Sequence, residues 1–260
     1  IYAAITTAAA TQTVDLSSIR ACISGGAPLP AEVRVAFEQA TGAKVVEGYG
    51  LSEASPIITC NPIEGLNKPG SAGLPFPGTT IEIRDREDPS RLMPVGENGE
   101  ICARGPQVTQ GYWNKPGATA DLFVDGALRT GDVGHLDEDG YLFIVDRIKD
   151  LILCGGYNVY PRVIEDALYE HPAVAEAIVI GVPDAYRGQA PKAFVTLAPG
   201  AAATPTELRD FLRDKISKIE LPREVEIRDV LPKTLIGKLS KKELVAEEAA
   251  KAAAGGGERV

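Results

Sequence analysis

Cysteine is scarce and scattered in this 260-residue sequence, which excludes two kinds of site. The four cysteines are Cys22, Cys60, Cys102 and Cys154, and no two of them are separated by only two residues. A zinc knuckle or a redox-active cysteine pair needs such close spacing. We therefore expect neither, and a reducing cytoplasm is the simplest setting for the chain, with peripheral contact to a membrane left open.

Long apolar runs and an excess of positive charge are also missing. No hydrophobic stretch approaches the roughly 18 residues that suggest a membrane span. Lys and Arg total 27 against 36 Asp and Glu, which gives a formal net charge of -9, whereas a nucleic-acid-binding surface needs clustered basic residues. We expect no transmembrane segment and no nucleic-acid partner, but a globular chain that is long enough to bury a core.

Three features are missing from the two ends of this sequence. The chain starts at Ile1 without an initiator methionine or a basic segment ahead of an apolar core. It ends at Val260 without a peroxisomal tripeptide. These features favour either a processed chain or a piece of something longer.

Charge is distributed unevenly along the chain. Residues 1–148 contain 11 basic and 19 acidic side chains, whereas residues 149–260 contain 16 and 17, so the net charge changes from -8 to -1 at Lys149. We interpret the two parts as different bodies: the end of a larger α/β domain over residues 1–148 and a small α+β domain over residues 149–260. Alanine and glycine dominate the chain end, where we predict a flexible tail from about residue 250.

A βαβ unit is expected early in the first part. Residues 20–24 and 43–47 are strand-like, and Pro30 opens a helical stretch with Val33, Phe37 and Ala40 on one face. The two strands should be parallel, and open α/β sheets bind ligands beyond the carboxyl ends of their strands. Residues 24–27 and 48–50 at those ends are interpreted as glycine-containing loops, which suit either a nucleotide-sized crevice or two tight turns.

Further elements follow from the same patterns. Proline and glycine punctuate residues 61–117 between short alternating runs at 80–84 and 99–103, which indicates a small twisted, barrel-like β region. In the second part we predict a helix over 163–171, strands over 174–182 and 192–197, and helices that begin at capping boxes at Thr204 and Ser240.

The segment 47–53 (EGYGLSE) combines several groups that suit a purine nucleotide. Gly48 and Gly50 free the backbone amides, Tyr49 could stack on a base, and Ser52 could donate to a phosphate oxygen. Glu53 could ligate Mg²⁺, which favours oxygen ligands. An ordinary loop remains the alternative, because the spacing differs from the dinucleotide fingerprint.

Three later segments carry further candidates. Asp132 follows a Thr-Gly pair and could accept hydrogen bonds from a ribose diol, or could simply turn a hairpin. Residues 145–150 (VDRIKD) hold charges at odd and even positions, which favours an exposed connector over a strand. Lys238 follows a glycine near Lys241 and Lys242, and suits either a solvated lysine cluster or a mobile cation for an anionic transition state.

Several motifs occur together in one order. They lie at residues 24–29, 48–53, 98–101, 129–132, 146–150, 155–161 and 232–238. In combination they resemble the adenylate-forming superfamily of acyl-CoA synthetases, peptide-synthetase adenylation domains and luciferases. The stretches 48–62, 105–116 and 142–161 are most similar to the long-chain fatty-acid CoA ligases.

The resemblance implies a role for each matching residue. Lys238 would be the adenylation lysine, Glu53 would face Mg²⁺ and the acyl carbonyl, and Lys149 would be the hinge about which the small domain rotates. The implied nucleotide-binding residues are Gly25, Gly26, Ala27, Gly48, Tyr49, Gly50, Ser52, Asp132 and Arg147. The implied coenzyme A-binding residues are Gly155, Gly156, Tyr157 and Asn158.

The implied activity is ATP-dependent activation of a fatty acid to acyl-AMP and its transfer to coenzyme A. The family's phosphate loop, which ends in Pro-Lys-Gly, and most of its acyl pocket precede anything in this sequence. The resemblance therefore implies the carboxyl-terminal part of an enzyme, inactive by itself. Another adenylate-forming ligase that activates an aryl or amino acid, and a non-catalytic AMP- or CoA-binding fragment, are the alternatives.

Overall fold

The computed structural model describes residues 1–11, 14–26, 29, 31–234 and 237–255. The chain divides into two compact units, Ile1–Ile144 and Val145–Val260. Both units combine helices with β-sheets, so the mixed α/β and α+β class expected from the sequence is confirmed. The assignment of residues 1–148 and 149–260 to two functional domains, with a hinge at Lys149, stays a prediction.

The first unit contains the expected βαβ segment. Strands β1 (Ala21–Ser24) and β2 (Lys44–Gly50) pair in parallel, while β3 (Ile57–Cys60) and β4 (Leu74–Pro75) extend the sheet antiparallel in the order β1-β2-β3-β4. The helices are α1 (Tyr2–Thr11) and α2 (Ala31–Thr41). Phe37 packs with Val45 in a small buried cluster, whereas Ala40, expected on the same face of α2, is exposed.

A five-stranded sheet forms the expected β region. Its strands are β5 (Thr80–Arg84), β6 (Gly99–Arg104), β7 (Phe123–Val124), β8 (Ala127–Leu136) and β9 (Leu142–Arg147). They lie in the order β5-β6-β8-β7, with β9 also paired to β8, and the short helix α3 (Pro116–Asp121) precedes β7. Ile81 and Ile83 are buried on alternate positions of β5, which confirms the alternation seen in the sequence.

The second unit is built on another five-stranded sheet. It has the order β11-β10-β13-β12, with β14 paired in parallel to β13. The strands are β10 (Ile152–Cys154), β11 (Tyr157–Val159), β12 (Val174–Asp184), β13 (Gly188–Leu197) and β14 (Glu224–Ile227), and the helices are α4 (Pro161–Tyr169), α5 (Pro205–Leu212) and α6 (Lys241–Gly255).

Helix α5 of the second unit follows its sequence signal, whereas α4 lies two residues ahead of the helix predicted over 163–171. Ile164 of α4 and Leu208 of α5 are fully buried in the same apolar cluster as Val179 of β12. The capping box at α5 is confirmed, because Glu207 N donates to Thr204 Oγ1 at 3.2 Å and Thr204 N donates to Glu207 Oε2 at 2.7 Å. Satisfying these otherwise unpaired amides fixes the start of the helix.

Two expectations about the chain path were wrong. Residues 145–147 belong to β9 rather than to an exposed connector, and Asp146 is 7% exposed. Its buried carboxylate is compensated because the backbone N–H groups of Arg147 and Arg162 donate to it at 2.7 and 2.8 Å. At the other end, α6 continues to Gly255 where a tail was expected from about residue 250, because alanine has the highest helix propensity.

Two general properties complete the description of the fold. The four cysteines are free thiols. Within the ranges described above, no helix is both long enough and apolar enough to cross a bilayer.

Candidate active site

Gly48 and Gly50 lie at the end of strand β2 rather than in a loop, which corrects the sequence interpretation. Gly48 pairs with Cys60 and Gly50 with Ile57 of β3. A Cβ atom on Gly50 would lie 1.9 Å from the Pro56 carbonyl oxygen, and one on Gly48 would lie 3.1 Å from Ile57 Cδ1. These glycines therefore allow the next strand to pass close to the backbone.

The two glycine segments of the sequence come together in space. Ser24 at the end of β1 pairs with Glu47 of β2, and a Cβ atom on Gly25 would lie 3.2 Å from the Gly48 carbonyl oxygen. Gly26 follows with a φ of 80°. This glycine-lined edge lies at the carboxyl ends of two parallel strands, where α/β sheets bind ligands. Ala27, expected beside it, lies outside the described residues.

A hydrogen bond joins Tyr49 to Asp132, which are 83 residues apart. The Tyr49 hydroxyl donates to Asp132 Oδ2 at 2.6 Å, and both residues are partly buried. Asp132 lies within β8 and not at a hairpin turn, so the alternative role considered for it was wrong. The contact places an aromatic ring and a carboxylate beside the glycine-lined edge. The carboxylate can accept further hydrogen bonds.

Strand β8 is held in place just before Asp132. Arg129 donates from Nε and Nη2 to Glu100 Oε2 at 3.0 and 2.7 Å, and this bond raises the pKa of Arg129. Thr130 Oγ1 donates to the Ile101 carbonyl at 2.7 Å and accepts from Asp132 N at 3.1 Å. The motifs at 98–101 and 129–132 are thus in contact, and the Glu100–Arg129 ion pair is a partnership that the sequence did not reveal.

Glu53 is held by a tyrosine that sequence reasoning missed. It lies in a 3-10 helix, Ser52–Ala54. The Tyr112 hydroxyl donates to Glu53 Oε1 at 2.7 Å, and Thr109 N donates to the Glu53 carbonyl at 2.7 Å. The hydrogen bond to Glu53 raises the pKa of Tyr112. Ser52 is exposed beside it.

The carboxylate of Glu53 would fit a magnesium ion that is bound mainly through the phosphate oxygens of a nucleotide. In the part of the chain that the structure describes, no group of three or more His, Cys, Asp or Glu side chains could hold a metal. Mg²⁺ is often bound by one or two carboxylates together with substrate phosphates. A single oriented carboxylate, Glu53, is compatible with that mode.

The expected coenzyme A-binding residues form a tight hairpin in the second unit. Gly155 and Gly156 join β10 to β11 with φ angles of 59° and 82°, and Cys154 pairs with Tyr157. Positive φ at both central positions defines a type I′ turn, which favours glycine. Tyr157 is 64% exposed and Asn158 is also exposed, so the hairpin presents an accessible surface.

Lys238 lies in a hydrogen-bonded turn ahead of α6. Thr234 N donates to the Lys238 carbonyl at 2.7 Å, and Lys238 N donates to Thr234 Oγ1 at 3.2 Å. The neighbouring Lys241 pairs with Glu165 at 3.2 Å, so the expected solvated lysine cluster is partly organised by an ion pair. Lys238 itself is exposed.

The remaining candidates lie near the start of the second unit. Arg147 is exposed at the end of β9, and Lys149 is exposed in a 3-10 helix, Ile148–Asp150. Sequence reasoning proposed a nucleotide-binding role for Arg147 and a hinge role for Lys149, and both stay predictions.

Two known protein families match this sequence. Residues 1–113 match the AMP-binding enzyme family, and residues 163–238 match the AMP-binding enzyme C-terminal domain. The chain belongs to the AMP-binding enzyme family. The residues matched include the glycine-lined edge, Tyr49, Glu53 and the turn that carries Lys238.

Individual members of the AMP-binding enzyme family cover most of the chain. A long-chain-fatty-acid–CoA ligase of Bacillus subtilis is 52% identical over 91% of this chain and 42% of its own length. A feruloyl-CoA synthase of Amycolatopsis sp is 40% identical over 94% of the chain and 49% of its own length. The crystal structure of ATP-bound MatB from Rhodopseudomonas palustris has a TM-score of 0.81 and 38% identity, and the match covers 86% of this chain and 44% of that one. The chain thus spans less than half the length of these relatives.

Proposed function

We propose that this chain is part of a fatty acyl-CoA synthetase, which joins a fatty acid to coenzyme A and converts ATP to AMP and pyrophosphate. The hydrogen bond between Tyr49 and Asp132 is the observation that carries the proposal. It places an aromatic ring that can stack on a base next to a carboxylate that can accept hydrogen bonds from a ribose. Similarity over most of the chain to the long-chain-fatty-acid–CoA ligase of Bacillus subtilis supports a fatty acid as the substrate.

In this proposal the first unit binds the nucleotide. The adenine would lie along the glycine-lined edge, with Tyr49 stacked on it and Ser52 donating to a phosphate oxygen. Asp132 would accept hydrogen bonds from the ribose hydroxyls, with Arg147 assigned to the same nucleotide. The remaining assigned positions are Gly25, Gly26, Ala27, Gly48 and Gly50.

The first half-reaction joins two anions and therefore needs positive charge. A carboxylate oxygen of the fatty acid attacks the α-phosphorus of ATP, the bond from that phosphorus to the bridging oxygen breaks, and pyrophosphate leaves with the electron pair. Lys238 would direct its ammonium group at the charge that accumulates on the phosphoryl oxygens. Glu53 would hold Mg²⁺, which when bound neutralises phosphate charge.

The second half-reaction transfers the acyl group. The sulfur of coenzyme A attacks the acyl carbon of acyl-AMP, the bond from that carbon to the phosphate oxygen breaks, and AMP leaves while the thiol proton is released. The turn at Gly155 and Gly156, which has no side chains, would border the pantetheine arm together with Tyr157 and Asn158. Lys149 would be the hinge that serves both half-reactions.

We also propose the cytoplasm as the setting of this enzyme, since the chain has four free thiols and its proposed substrates are ATP, coenzyme A and a small carboxylic acid. Reduced cysteines are typical of that compartment.

Replacing Lys238 with alanine in the complete enzyme tests the proposal. We expect fatty-acid-dependent exchange of pyrophosphate into ATP to be lost, while thioester formation from supplied acyl-AMP is largely retained. Lys242→Ala is the matched control, because Lys242 is an exposed lysine four residues away and should leave both rates unchanged. Equal loss of both half-reactions in Lys238→Ala would contradict the assigned role.

A second candidate is an adenylate-forming ligase for another acid. The similarity to feruloyl-CoA synthase over 94% of the chain favours it. Exchange assays with a long-chain fatty acid, an aryl acid such as ferulate and a set of amino acids separate the two candidates. Absence of exchange with every acid, combined with measurable AMP or coenzyme A binding, would instead indicate a binding module.

A further inference from the structure

The turn that carries Lys238 is tied down on its amino-terminal side by an ion pair. Lys233 Nζ lies 2.6 Å from Glu176 Oε1, and the two side chains are 42% and 30% exposed. Glu176 belongs to β12, where the pairing with β13 is shifted between Val174 and Glu176. The segment before the turn is thus attached to a strand of the central sheet.

A second ion pair holds the carboxyl-terminal side of the turn. Lys241 Nζ lies 3.2 Å from Glu165 Oε1, and the two side chains are only 24% and 17% exposed. The same Glu165 oxygen accepts the backbone N–H of Val179 at 2.8 Å. Glu165 of α4 therefore connects the first residue of α6 to β12.

The backbone and the apolar core reinforce this arrangement. Ser240 N donates to the Pro232 carbonyl at 2.9 Å, and Lys233 forms an antiparallel bridge with Leu239. Leu231 and Leu244 are fully buried in one apolar cluster on either side of the turn. Both ends of the turn are therefore held in place, and Lys238 lies between them in the chain.

We propose that Glu165 and Glu176 are positioning residues for Lys238, and this inference rests on the proposed function. We call the pairs Lys233–Glu176 and Lys241–Glu165 the loop clamp. A lysine side chain is long and flexible, so its charge reaches a transition state only if its backbone is held in place. The clamp also binds the two neighbouring ammonium groups to their own carboxylates, which keeps them from competing with Lys238 for the same anion.

Stability alone gives a poor account of the Lys233–Glu176 pair. Ion pairs between side chains that are this exposed contribute little to folding stability. Another exposed ion pair in the same unit, Lys215–Glu170, has side chains that are 31% and 61% exposed and does not involve the turn. It provides a matched control for the loss of one ion pair.

The test compares the two half-reactions in the complete enzyme. We expect Glu176→Gln and Glu165→Gln to slow fatty-acid-dependent pyrophosphate exchange about tenfold, with thioester formation from supplied acyl-AMP unchanged. Glu170→Gln should leave both rates unchanged. The exchanged pair Lys233→Glu with Glu176→Lys should restore pyrophosphate exchange, because the attraction is rebuilt with reversed polarity.

Several outcomes would overturn the inference. Pyrophosphate exchange at the wild-type rate in Glu176→Gln, parallel loss of both half-reactions, or failure of the exchanged pair to restore exchange would each show that the clamp does not position Lys238. If Glu165→Gln does not fold, Glu176→Gln and the exchanged pair decide the question. Lys238→Ala in the same assay separates a failure of the proposed function from a failure of this inference. If Lys238→Ala retains pyrophosphate exchange, the proposed function is refuted. If Lys238→Ala loses exchange while the clamp variants keep it, only this inference is refuted.

Discussion

Tyr49 contributes a hydroxyl group as well as an aromatic ring to the candidate nucleotide site. Its Oη atom donates to Asp132 Oδ2 at 2.6 Å, a short distance that is typical of a hydrogen bond to a carboxylate. Asp132 is therefore oriented by a residue from another sheet before any ligand arrives. Preorganisation of this kind reduces the ordering that binding requires.

We predict that Tyr49→Phe weakens AMP binding about tenfold, since a hydrogen bond to a charged group contributes on the order of 1.5 kcal/mol. Calorimetric titration of the complete enzyme with AMP measures the change. Tyr141→Phe removes a hydroxyl that donates to the Leu66 carbonyl at 2.5 Å elsewhere in the same unit, and should leave AMP affinity unchanged. An unaltered dissociation constant for AMP in Tyr49→Phe would show that the Tyr49–Asp132 hydrogen bond does not help to bind the ribose.

Sequence motifs select single candidate residues but rarely indicate which residues those candidates contact. Tyr49 and Asp132 were selected from separate segments, and only the fold shows that they touch. Tyr112 was missed as the partner of Glu53 because the two residues are 59 positions apart, and a tyrosine in a glycine-rich segment carries no signal of such a contact. Glu165 and Glu176 were missed for the same reason, since a glutamate on a helix or strand is usually solvated.

Gly50 at the end of β2 lies directly against the backbone of Pro56 and Ile57 at the start of β3. A Cβ atom there would lie 1.9 Å from the Pro56 carbonyl oxygen, which is backbone and cannot rotate away. We predict that Gly50→Ala lowers the free energy of unfolding by about 3 kcal/mol, as expected for severe overpacking. Urea denaturation of the complete enzyme measures it.

The control for that prediction is a glycine without such a constraint. Gly117 lies in helix α3, and a Cβ atom on it would meet nothing within 4 Å. Gly117→Ala should therefore be neutral or stabilise the protein by up to about 1 kcal/mol. Equal unfolding free energies for the two alanine variants would show that the strand end tolerates a side chain.

An ion-pair cluster on β5 and β6 predicts acid sensitivity. Glu82 accepts hydrogen bonds from Arg84 Nε at 2.8 Å and Arg104 Nε at 2.6 Å. Burial alone would raise the pKa of Glu82, but the two guanidinium groups outweigh it and lower that pKa from 4.5. A lowered folded-state pKa stabilises the fold above the unfolded-state value, and this contribution is lost as the pH falls through the folded-state pKa.

We therefore predict that the wild-type enzyme loses more unfolding free energy than Glu82→Gln between about pH 5 and pH 3. Urea midpoints across that range measure the difference. Glu64→Gln, at an exposed position, should follow the wild-type curve. Parallel curves for wild type and Glu82→Gln would show that the cluster does not couple folding to protonation.

At the level of elements, local signals succeeded where the element is determined by its own residues. The capping box at Thr204 and the alternation in β5 are of this kind. The signals failed where a distant partner decides: the backbone N–H of Arg162, 16 residues away, helps to compensate the buried Asp146 carboxylate, and Gly48 continues a strand because β3 pairs with it. A sequence pattern contains no information about those partners.

The whole chain divides into two compact units, and each contains its own set of candidate residues. The first contains the glycine-lined edge, Asp132 and Glu53, whereas the second contains the hairpin at Gly155 and the turn with Lys238. The change in net charge that the sequence shows at Lys149 falls close to the start of the second unit at Val145. Composition can detect such a division because each unit has its own surface and core, but it cannot show how the units cooperate.

Lys149 is the place to test that cooperation. It lies in the 3-10 helix Ile148–Asp150 at the start of the second unit. Proline fixes φ near -65° and limits the preceding residue, so Lys149→Pro should favour one orientation of the second unit. We predict that one half-reaction then slows at least about tenfold more than the other, measured as pyrophosphate exchange and as thioester formation from acyl-AMP. Lys149→Ala removes the charge but keeps the backbone free, and should leave both rates near wild type; a proline variant with both rates unchanged would place the hinge elsewhere.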